Sequence, residues 1–160
     1  MYGLEGADPA LFERQMFADG LFGAPARWIA AHRTAPTWLY RFSYVTAPLR
    51  DRGLGAQHGW EVPYVFDTLG AAPLNPTAQD QAEARLVNGC WADFAITGRP
   101  CASEPPPASR WPAYDRRTDT LLAFDDAGPV VKAHFRQAVF DLHQAVAARR
   151  LRLEAQGKAP

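Results

Sequence analysis

Ser43, Ser103 and Ser109 are the only serines in this 160-residue chain, and none has a glycine two positions to either side. The G-x-S-x-G elbow that presents a catalytic serine is therefore absent, as is any HGGG-like run for an oxyanion hole. Net charge is also absent: seventeen basic residues balance seventeen acidic ones. That balance removes the electrostatic footprint of a nucleic-acid or anionic-membrane binder, and neither partner is assigned. No stretch approaches the roughly 20 apolar residues needed to cross a bilayer, and the N-terminus has neither a basic region nor a continuous apolar one. No targeting segment therefore marks a compartment. Cysteine is scarce, with only Cys90 and Cys101. If Cys90 lies on a helix running to Gly98, the helix carries it away from the following loop, so a bridge to Cys101 would need the chain to double back. No Cys/His cluster has zinc-ligand spacing, and no metal or cofactor is expected.

What the chain does have is the composition of one ordinary globular domain, with 48% hydrophobic residues and charges spread rather than blocked. The first twelve residues suggest a loop leading into a short helix. A helix is expected from about Phe22 to His32, where Ala26, Ile29 and Ala30 follow helical spacing and Pro25 fits a first turn. TWLYRFSYV, residues 37–45, is β-branched and aromatic with both parities covered, which predicts a central or near-central strand. Thr77 with Asp80 resembles a helix cap. Leu86, Val87, Cys90, Trp91, Phe94 and Ala95 then form a stripe of period 3.6 that Gly98 can close. After a proline-rich connection, short extended pieces at 111–114 and 121–124 suggest a hairpin. A last helix is expected from near Val130, with Val131, Phe135, Ala138, Val139, Leu142 and Val146 on one face. Trp91, Phe94, Trp111 and Tyr114 read as core or satellite core. Residues 147–160 read as a charged, solvated tail to a segment spanning 1–146.

The four histidines are not equivalent. His32 ends a helix, where a cation complements the dipole. His134 and His143 are nine residues apart, which does not pair them as i, i+4 ligands. His58 sits in the loop LRDRGLGAQHGWE directly after the predicted strand, with Gly55 and Gly59 permitting close backbone approach. Strand-end loops are where chemistry usually resides.

GAQHGWEVPYVFD, residues 55–67, resembles the catalytic-histidine segment of the type-B carboxylesterase and cholinesterase-like family. The similarity extends in order along the chain. DGLFGAPARWIAAH resembles the helix preceding the last long strands, and TWLYRFSYV the strand that delivers the histidine. WADFAITGRP is similar to a late family helix end, WPAYD to a Trp-Pro-x-Tyr element, and VKAHFRQAVFDL to the terminal helix. The resemblance implies an α/β fold, specifically the C-terminal portion of an α/β-hydrolase: last sheet strands, histidine loop and terminal helices, incomplete on its own.

The resemblance makes His58 the general base, a role that needs a neutral imidazole at working pH. It makes Glu61 and Gly59 residues that fix the loop, and lets Trp60 line the substrate site. The triad carboxylate, like the serine, would come from a missing N-terminal part of the same fold, and the substrate would be a small carboxylic ester. On this reading the chain alone is inactive, because it supplies only one part of a serine, acid, histidine and oxyanion-hole assembly. The alternative is a non-catalytic binding or adhesion module on the same fold, against which the retained His-Gly-x-Glu pattern argues.

Overall fold

The structure, a computed structural model, describes residues 9–71, 74–106 and 108–158. The loop expected at the start of the chain lies outside the described residues as far as residue 8. The chain divides into two compact units, one comprising Met1–Leu39, Tyr114–Asp119 and His134–Pro160, the other Tyr40–Ala113 and Thr120–Ala133.

In the first unit, helix α1 (Pro9–Ala18) passes through a π-helical turn (Asp19–Gly23) into helix α2 (Ala24–His32). Helix α5 (Gln137–Ala155) packs on this run, burying Ala24 against Val139 and Phe140, with Phe135 alongside. Gly23 is required for the approach, since a Cβ there would come within 2.7 Å of the Phe140 ring. Buried Asp19 pairs with Arg136. Arg27 donates to both oxygens of buried Asp119 at 2.9 Å, while the Tyr114 hydroxyl donates to the same carboxylate at 2.8 Å.

The second unit holds a three-stranded sheet of order β1-β2-β3, formed by β1 (Tyr40–Phe42), β2 (Thr120–Asp125) and β3 (Gly128–Ala133). β1 runs parallel to β2 in the register Tyr40–Leu122, and β3 runs antiparallel to β2. The apolar run Leu121–Phe124 is buried throughout, as a strand covered on both faces must be. Helix α4 (Ala78–Thr97) and the short helix α3 (Val62–Val65) lie in the β1–β2 connection. α4 starts at a capping box between Thr77 and Asp80 and ends where Gly98 turns left-handed at φ 72°, the boundaries its sequence predicts. No helix among the described residues is long and apolar enough to cross a membrane.

Several expectations are corrected. The aromatic strand is only three residues long, and the central strand is β2. Tyr40 packs edge-on against Trp91 at 5.0 Å, and Phe42 meets Tyr64 at 5.0 Å, so the aromatic rings that suggested a long covered strand form a cluster against α4 and α3. The hairpin joins β2 to β3 rather than to residues 111–114. The last helix begins at Gln137, because Gly128–Ala133 is drawn into the ladder and His134 and Arg136 adopt positive φ. Phe94, placed in the core by its spacing, is 50% exposed; the buried face of α4 is instead Asp80, Glu83, Ala84, Val87 and Cys90.

The two cysteines are joined. The chain doubles back immediately after Gly98, and the Cys101 amide, at φ 53°, donates to the Cys90 carbonyl at 3.4 Å. Helical rise alone could not anticipate this reversal. Closing a loop of sequence separation 11 restricts the unfolded chain by on the order of 3 kcal/mol. Replacing both cysteines by alanine is expected to lower the urea-unfolding free energy by about that amount; an unchanged midpoint would show that the bridge contributes no stability.

Candidate functional site

His58 is exposed, in a loop that starts from the 3-10 turn Ala47–Arg52 and ends at α3. Gly53, Gly55 and Gly59 of this loop hold positive φ, at 64°, 63° and 84°, and residues 58–61 form a turn. Each value falls where an L side chain costs roughly 1–2 kcal/mol, so the glycines on either side of His58 are conformational requirements. The Trp60 amide donates to Gln57 and the Val62 amide to Gly59, giving two successive turns around the histidine. Glu61 is half-buried at the N-terminus of α3, where its backbone carbonyl accepts from Tyr64 and Val65. Its charge reaches the Tyr40 phenol, which is pushed up by desolvation first and by Glu61 second. Trp60 is half-buried. His58, Gly59, Trp60 and Glu61 are consecutive, so the structure keeps them together in one turn.

The hydroxyl of Ser43 donates to the Asp125 carboxylate, which also pairs with Lys132, and the Ser103 hydroxyl donates to Asp93 at 2.9 Å. No group of three His, Cys, Asp or Glu that could hold a metal occurs among the described residues. A shallow cleft of about 180 Å³ in the first unit is lined by Arg27, Ala31, His32, Tyr114, Arg116, Asp141 and Gln144, none of them from the His58 loop.

The polar assembly at the entry to this loop is almost invisible in the sequence. Asp80 is fully buried. One carboxylate oxygen accepts from the Tyr44 hydroxyl at 2.8 Å and the Ala47 amide at 3.0 Å; the other accepts from the Thr77 amide and hydroxyl, both at 2.7 Å. Burial alone would raise this carboxyl, but the bonds from Thr77, Ala47 and Tyr44 outweigh it and hold the group below its ordinary value. The Tyr64 and Thr46 hydroxyls share a hydrogen bond at 2.8 Å, and the Val45 amide donates to Asp126 at 2.8 Å. Arg50 donates to the Val45 carbonyl at 2.9 Å and lies over the Tyr44 ring. The one signal available in the sequence was the Thr77/Asp80 pair, which identified a helix cap and gave no hint of Tyr44 or Ala47.

A sequence model of the carboxylesterase family matches residues 12–142. The chain is 32% identical over 130 residues to liver carboxylesterase 1 of Oryctolagus cuniculus, covering 74% of this chain and 22% of that protein. It is 30% identical over 141 residues to cocaine esterase of Homo sapiens, covering 81% and 25%. It is 32% identical over 116 residues to para-nitrobenzyl esterase of Bacillus subtilis (strain 168), covering 69% and 22%. The chain thus spans a quarter or less of the length of these relatives.

Glu83, one turn after Asp80, is 8% exposed, and its Oε1 is buried without a hydrogen-bond partner. Burial first, and the Asp126 carboxylate second, push its carboxyl from 4.5 up to about 7. The folded chain therefore holds a proton here between about pH 4.5 and 7 that the unfolded chain releases. The associated stability is complete below pH 4.5 and declines as pH rises through about 7. Glu83→Gln is expected to flatten this decline and to stabilise the chain at pH 8 by on the order of 2 kcal/mol. Urea midpoints at pH 5 and pH 8 check it; a variant as pH-sensitive as the parent would place the titrating group elsewhere.

Proposed function

The chain belongs to the carboxylesterase family, and on that premise we propose that it forms the histidine-bearing part of a serine ester hydrolase, with His58 as general base. The supporting observation is the coincidence of the His-Gly-Trp-Glu sequence, residues 58–61, with an outward-facing loop whose flanking glycines all hold positive φ. In the proposed reaction the neutral imidazole takes the proton of a serine hydroxyl as that oxygen bonds to the ester carbonyl carbon. The resulting imidazolium returns the proton to the departing alkoxide, and the same cycle with water releases the acid. Gly59 and Glu61 hold the turn, and Trp60 lines the ester site.

Serine, triad acid and oxyanion donors come, in this proposal, from a further segment of the same fold. The chain's coverage of about a fifth of liver carboxylesterase 1 is in keeping with that division of labour. So is the exposure of Val62 and Phe66, apolar side chains immediately following the histidine turn. Substrates are small carboxylic esters, the type of molecule named for the relatives, and the reaction uses no cofactor.

Hydrolysis of a short-chain p-nitrophenyl ester tests the proposal, with the chain assayed alone and together with a candidate upstream segment carrying a G-x-S-x-G motif. The chain alone is expected to show no saturable turnover. The combination is expected to be active, and His58→Ala to lower kcat by roughly 10³-fold or more. Activity that survives His58→Ala would refute the assignment of the base. Restored folding with no turnover would leave a non-catalytic binding module on this fold as the better reading.

A further inference from the structure

Residues 46–65 form a closed loop whose two ends meet, because the Thr46 and Tyr64 hydroxyls are 2.8 Å apart. Both ends are also held by one helix. At the entry, Asp80 accepts from Tyr44 and from the Ala47 amide. At the exit, the Asn88 side-chain amide donates to the Val65 carbonyl at 2.7 Å. Asp80 and Asn88 are eight residues apart on α4, a separation of about 12 Å along a helix axis. The 19 residues from Ala47 to Val65 could span roughly 60 Å if extended. Both ends are therefore held far closer together than the intervening chain requires, and the excess length is taken up by the segment that carries His58 and its positive-φ glycines.

We propose that α4 acts as a two-point clamp on this loop, with Asp80 and Asn88 as positioning residues for the His58 imidazole. The relevance to catalysis rests on the reading of His58 as general base; the clamp itself does not. Each anchor is irreplaceable by its neighbour. Asp80 carries acceptors only, and it faces a hydroxyl and an amide. Asn88 offers a donor, and it faces a carbonyl whose residue closes α3. Loss of either leaves α4 holding the loop at one end only, with the Thr46–Tyr64 bond alone joining the two ends to each other.

Hydrogen exchange on the full chain tests the clamp. Asn88→Asp puts an acceptor opposite the Val65 carbonyl with little change in shape; Asp80→Asn weakens the entry anchor; Asn88→Gln retains a donor. In the two disruptive variants the hydrogen-bonded amides of Gly53, Trp60 and Val62 are expected to exchange at least tenfold faster. In Asn88→Asp, which leaves Asp80 and its four donors in place, amides of β2, β3 and the middle of α4 should keep their parent rates, and Asn88→Gln should stay within a few-fold of the parent. Parent-like exchange of the three loop amides in both disruptive variants would overturn the proposal, as would acceleration in Asn88→Asp spread equally over β2 and β3. In the complemented esterase, Asn88→Asp is expected to lower kcat tenfold or more with little change in KM. Selective loosening without any esterase in the parent would count against the reading of His58 while leaving the clamp intact.

Discussion

The burial of Asp80 is the constraint on which the second unit depends. A carboxylate removed from water is costly unless its lone pairs are occupied, and here four donors occupy them. Two belong to Thr77 and start α4; two belong to the chain leaving β1. The helix cap and the strand exit therefore converge on one buried carboxylate. The sheet, the helix and the loop between them share this single charged group. Removing its partners on one side would leave the other side bound to a poorly solvated anion.

One turn further along the same helix, Glu83 shows the opposite outcome in the same interior. Asp80 meets four donors and stays ionised below its ordinary value, whereas Glu83 meets the Asp126 carboxylate, leaves one oxygen without a partner and is pushed up to about 7. Burial raises both carboxyls, and the supply of donors decides which of them keeps its charge. The phenols nearby follow the same rule: burial raises Tyr64 to about 12, more than its bond to Thr46 lowers it. Tyr64 therefore acts as a neutral hydrogen-bonding group at neutral pH.

How far the sequence could be read depended on whether the determining contacts were local. The limits of α4 were legible because Thr77, Asp80 and Gly98 act within a few residues of themselves. The His58 turn was legible because glycines at 53, 55 and 59 and the adjoining motif are contiguous. β3 was misread as helix because its strand character comes from pairing with β2, whose covered face overrides the helical spacing of Val131 and Phe135. The short reach of β1 and the Cys90–Cys101 bridge were hidden for a related reason, since both depend on where the chain goes after a turn. Asn88 and Asp126 left no mark at all: a single Asn side chain aimed at a distant carbonyl, or an Asp at a hairpin tip, has no periodicity to reveal it.

The proposed general base stands on an exposed loop, which poses a physical difficulty, because a misplacement of about 1 Å at a reacting group can reduce rate by roughly 10²-fold. Loop backbone is the least ordered part of most folds, and the three positive-φ glycines that shape this turn would be among its most permissive residues in the unfolded chain. Precision must therefore be imported from a rigid element. α4 can supply it: it is 20 residues long, capped at both ends, covalently tied at Cys90, and buried along the face that carries Asp80, Glu83 and Val87. Its hydrogen bonds to Ala47 and Val65 fall at the loop's two ends and constrain the turn from there. The proposed base can then keep an open face toward substrate while its backbone is fixed from beneath. On this account the polar residues buried under the loop belong to the chemistry as much as to the core, although none of them would contact a reacting atom.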